Sequence, residues 1–88
     1  MSGDIGDLIL WLAGFQNTLD TIVEPIEASG VLIRRESGQA TRLLLGSMVG
    51  SRIVTSLAGA YNSNARTLGY LEDAENDARD ALNQLRGL

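Results

Sequence analysis

Asp73, Glu75 and Asp77 stand at alternate positions in the run "DAENDARD". A calcium-binding loop begins with this spacing, because a hard divalent cation takes oxygens from the first, third and fifth loop positions. The pattern then fails: Ala78 stands where such a loop needs glycine for its sharp turn, and Gln84 stands where a closing bidentate Glu is needed. The run therefore reads as a solvated acidic helix face, extended by Glu72 and Asp80, that can meet a basic surface. No metal site is expected.

The rest of the inventory is equally poor in reactive groups. The chain has no His, Cys or Lys, so the common general bases, thiolate nucleophiles and Schiff-base formers are missing. The serines have no base beside them, and neither a G-x-S-x-G elbow nor a phosphate-binding glycine loop occurs. No catalytic residue, no cofactor and no enzymatic activity are expected. All seven basic residues are Arg, and Arg34, Arg35, Arg42, Arg52 and Arg66 could touch phosphate as a strip along a helix. The net charge of −4, the acids at both ends and the absence of aromatic residues among the arginines count against a nucleic-acid partner.

The charge pattern is segregated. Residues 1–31 carry five acids and no base, residues 32–66 carry five Arg and one Glu, and residues 67–88 carry five acids and two Arg. A basic middle between acidic ends suggests ion pairing within the chain or with a neighbour, Arg34, Arg35, Arg42, Arg52 and Arg66 meeting Glu72, Asp73, Glu75 and Asp77.

These groups have to be carried by helices. Ile5, Leu8, Leu12, Phe15, Leu19, Ile22 and Ile26 follow alternating three- and four-residue steps, which is a helical seam. Ser2 or Asp4 suits its start, and "ASG" at 28–30 suits its end, after Pro25 has disturbed the last turn. The piece "GVLIRRESG", bracketed by Gly30 and Gly38, reads as a connector near 29–38, with Ser37 as N-cap of a second run starting near Gln39. From Leu43 the same stepping passes through Ser47, Gly50, Val54, Leu57, Tyr61, Asn64, Leu68, Leu71, Glu75, Ala78, Leu82 and Leu85. Its phase survives the polar "NSN" at 62–64. The expected fold is all-α, a helical hairpin of one shorter and one long helix within a single domain spanning 1–88. A break at 62–64 would give a compact three-helix bundle instead.

"LLLGSMVGSRIVTSLAGAY", residues 43–61, is apolar and rich in small residues, but only nine residues separate Arg42 from Arg52. That is too short for a membrane span, so a membrane partner is disfavoured. Gly46 and Gly50 form a small-xxx-small pair, which in a soluble helix lets another backbone approach closely. Gly50 is expected at such a contact, where Ala is tolerated and Leu is not. Gly46, Gly50, Val54 and Leu57 would face Ile5, Leu8, Leu12, Phe15 and Leu19 across the packing interface.

Size and helicity resemble the type VII secretion Trp-x-Gly hairpins and, more loosely, type III needle subunits. The motifs do not follow. Trp11 lies inside the first helix, and Tyr61 and Tyr70 are followed four residues on by Ala65 and Ala74 instead of an acid, so no family is assigned.

An 88-residue chain buries only roughly 60–65% of its unfolded surface, and no cysteine is present to staple it. Burial against a partner is expected. The reading is a non-enzymatic structural subunit that packs against copies of itself, as a homo-oligomer or polymer, or against other proteins of a virion, filament or secretion complex. The alternative is a small acidic adaptor or inhibitor binding one protein target. The N-terminus has acids where a signal peptide needs bases, which suits a soluble protein of the cytoplasm or of a virion, filament or leaderless-secreted complex.

Overall fold

The computed structural model describes residues 4–87 as two helices, α1 (Ile5–Leu43) and α2 (Met48–Arg86), folded into an all-α hairpin. Each helix has 39 residues, and the molecule measures 65 × 19 × 15 Å. Asp4 caps α1, its side chain accepting from the Asp7 amide at 2.8 Å. Ser47, not Ser37, caps α2, its hydroxyl accepting from the Gly50 amide at 3.2 Å. Helix α2 runs through 62–64 without interruption.

The turn lies at 44–47, so the connector expected near 29–38 is corrected: those residues are helical. The physical reason lies in the seam. In α1 the inward positions are Leu12, Gln16, Leu19, Val23, Ile26, Gly30, Ile33, Ser37 and Ala40, all buried or half-buried. The stepping thus continues past Pro25 and through "GVLIRRESG", carried by Gly, Ser and Ala in place of large aliphatics. Gly30 is small because Asn64 reaches over it from α2 to donate to the Ile26 carbonyl at 3.0 Å. A Cβ at position 30 would lie 2.6 Å from that Asn64 amide. This hydrogen bond across the seam fixes register, since any slip leaves the amide without its partner. Because the turn falls later than expected, the two arms are equal.

The two glycines of the small-xxx-small pair have different roles from the one expected. Gly46 lies in the turn with φ +79° and no neighbour within 4 Å of a Cβ, so it supplies a left-handed conformation and packs against no helix. Gly50 is buried, but against its own turn: a Cβ there would lie 2.5 Å from Leu44 Cβ and 2.6 Å from the Leu44 carbonyl oxygen. The expected tolerance of Ala is therefore corrected. Gly50→Ala should cost about 1–3 kcal/mol through overpacking, more than the gain of up to about 1 kcal/mol in helix propensity. Thermal melts of Gly50→Ala below wild type would show it.

The core is thin. Among the described residues the buried apolar side chains are Leu12, Leu19, Ala78 and Leu82, and Ile9, Phe15, Ala81 and Leu85 pack half-buried against Leu12, Ala78 and Leu82. The chain exposes 6482 Å², where a compact monomer of its mass exposes about 5000 Å².

Candidate interaction face

In α1, two apolar stripes with the same three-four spacing share Leu12, Leu19 and Ile26. One continues through Val23 and faces α2. The other runs through Leu8, Phe15 and Ile22 and turns aside from it. Leu8 and Ile22 are exposed, and Phe15 is half-buried with its ring stacked on Trp11 at a centroid distance of 5.0 Å. The expected interface therefore divides. Leu12 and Leu19 lie in the seam against α2, with Val54 and Leu57 half-buried on the α2 side, whereas Ile5 and Leu8 are exposed. The correction has a simple cause: a single stripe with helical spacing does not say which neighbour it meets.

The outward stripe becomes a face once both helices are considered. Leu8, Phe15, Ile22 and Leu43 are separated by multiples of seven residues, as are Trp11 and Leu32 beside them. In α2, Ile53, Ala60, Thr67, Ala74 and Ala81 recur every seven residues, flanked by Val49 and Tyr70. Phe15 and Ala81 pack against the same core cluster, which places the two lines on one side of the hairpin. Trp11, Leu43, Val49 and Tyr70 are each at least 60% exposed. Within the helices this side carries only Glu36 and Asp77 as charges.

The opposite side is grooved and of mixed polarity, its surface depressions lined by Glu27, Arg34, Glu72 and Arg79 together with Val31 and Leu68. Arg35, Arg42, Arg52, Arg66, Asp7, Asp73 and Asp80 occupy the outer edges of the rod, where they border the apolar side. Folding back brings Asp4, Asp7 and the acids at 72–80 to the open end, and Arg34, Arg35, Arg42 and Arg52 toward the turn. The sequence bands thus become an axial charge dipole.

Among the described residues the salt bridges are Arg35–Glu36 at 3.7 Å and Glu75–Arg79 at 3.1 Å. Neither joins α1 to α2. Arg34, Arg42, Arg52 and Arg66 make no salt bridge among them, so the pairing expected within the chain is absent, and Glu72, Asp73 and Asp77 likewise stand exposed. Asp73, Glu75 and Asp77 project at successive rotations of about 200° around α2, and so do not converge on one point. No helix among the described residues is long and apolar enough to cross a membrane.

The chain matches no family model, no curated protein and no solved structure. The class of molecule is therefore defined by its geometry alone: a two-helix hairpin with a seam of the coiled-coil type, one face of mixed polarity and one unpartnered apolar face.

Proposed function

We propose that the protein is a non-enzymatic structural subunit that works by packing against copies of itself or against other members of a helical assembly, such as a virion component, a filament or a secretion complex. The observation that carries this reading is the outward face: exposed apolar side chains from both helices, two helical charges, and a rod exposing about 1500 Å² more than a compact monomer of this mass. Monomers that stay single keep large apolar patches small and interrupted. The unpaired arginines supply the polar rim that such an interface needs.

The rim gives the test. Reversing Arg42 and Arg52 together to Glu should raise the dissociation constant roughly tenfold or more, because several exposed pairs at about 0.2–1 kcal/mol each are lost or made repulsive. Added salt should weaken wild type in the same direction, as screening shortens from about 10 Å at 0.1 M to about 3 Å at 1 M. Sedimentation velocity reads both. Association unaffected by either change would leave the charge segregation with no part in packing.

A further inference from the structure

We infer that the apolar face is covered by a second copy of the same chain, laid face to face and antiparallel, so that the turn of each hairpin covers the open end of the other. This rests on the self-packing reading above and gives it a geometry. Charge selects the direction. With turns together, Arg42 and Arg52 of one copy would border the same arginines of the other. With turns apart, a two-fold axis across the middle of the face brings α1 over α1 and α2 over α2.

The register then follows from the helical rise. Arg42 lies about 27 Å from the midpoint of α1 and Asp7 about 26 Å on its other side, while Arg52 and Asp80 lie about 22 and 20 Å from the midpoint of α2. Arg42 and Arg52 therefore come beside Asp7 and Asp80 of the second copy, whereas Arg35 and Arg66 on the same edges have no acid opposite them. Side-chain size agrees. Ile53 and Ala81 stand equally far from the α2 midpoint, so a large side chain meets a small one, and between them Ala60 meets Ala74, two small side chains that let the helices approach.

The chain has no cysteine, so single substitutions report the arrangement cleanly. Thr67 sits at the α2 midpoint on the apolar face and is exposed, so Thr67→Cys falls on the two-fold axis beside its own copy. Val49→Cys lies near the turn, and its two copies would be about 54 Å apart. Mild oxidation should convert most Thr67→Cys chains to a covalent dimer and leave Val49→Cys uncoupled on a denaturing gel. Equimolar Arg52→Glu and Asp80→Arg chains should also associate more tightly together than either does alone.

Coupling in an equimolar mixture of Leu43→Cys and Val49→Cys chains, with Thr67→Cys uncoupled, would mean that the turns lie together with α1 over α2, and would overturn the inference. If neither variant couples while wild type sediments above monomer mass, self-packing stands and the antiparallel geometry falls. Wild type that is monomeric at every concentration removes both.

Discussion

Trp11→Glu combined with Ile53→Glu should leave the hairpin helical and dissociate the assembly. Trp11 and Ile53 are 61% and 39% exposed in the single chain, on the outward face and away from the seam. Full burial of such a side chain contributes about 1.5–3 kcal/mol. Both are already half-covered, so about half of that is at stake for each, and a symmetric contact loses every substitution twice. The dissociation constant should then rise roughly a hundredfold to ten-thousandfold. Glu is a good helix former at exposed sites, so far-UV circular dichroism of the variant, diluted to the monomer, should match wild type. A variant that unfolds would place Trp11 and Ile53 in the fold, and one that associates like wild type would leave the face without a partner.

Leu19→Ala should have the opposite signature. Leu19 is 3% exposed in the seam between α1 and α2, and removing a buried leucine side chain costs about 2–5 kcal/mol. A chain of 88 residues has a total stability of only about 4–13 kcal/mol, so the loss is a large part of it. The melting temperature should drop by at least about 8 °C. Melts must be compared at equal protein concentration, because association couples to stability. A Leu19→Ala chain melting within a degree or two of wild type would show that Leu19 is not held in the seam.

The contrast between these two residues shows what the sequence could disclose. The α2 seam is legible from Ser47 to Leu85, because Val54, Leu57, Leu68, Leu71, Leu82 and Leu85 hold one three-four phase across the polar sites between them. The α1 seam was legible only at Leu12, Leu19 and Ile26. Leu8, Phe15 and Ile22 repeat with the same spacing as the true inward residues, and spacing alone is blind to which stripe finds α2.

The turn was misplaced for a related reason. Gly30, Ser37 and Ala40 carry the seam onward with small side chains that resemble a loop, while the real turn at 44–47 is hidden inside an apolar run, marked only by Gly46 and the capping Ser47. The Asn64–Ile26 hydrogen bond joins residues 38 positions apart and left no local signal. The charge bands were plain in the sequence, but their conversion into an axial dipole depended on where the chain folds back.

Whether the outward face packs against a second copy is read directly from the mass of the wild-type protein by sedimentation equilibrium across a wide concentration range at low salt. Such packing requires a mass above that of the 9.4 kDa chain, falling toward it on dilution. A single 9.4 kDa species at every concentration would contradict it.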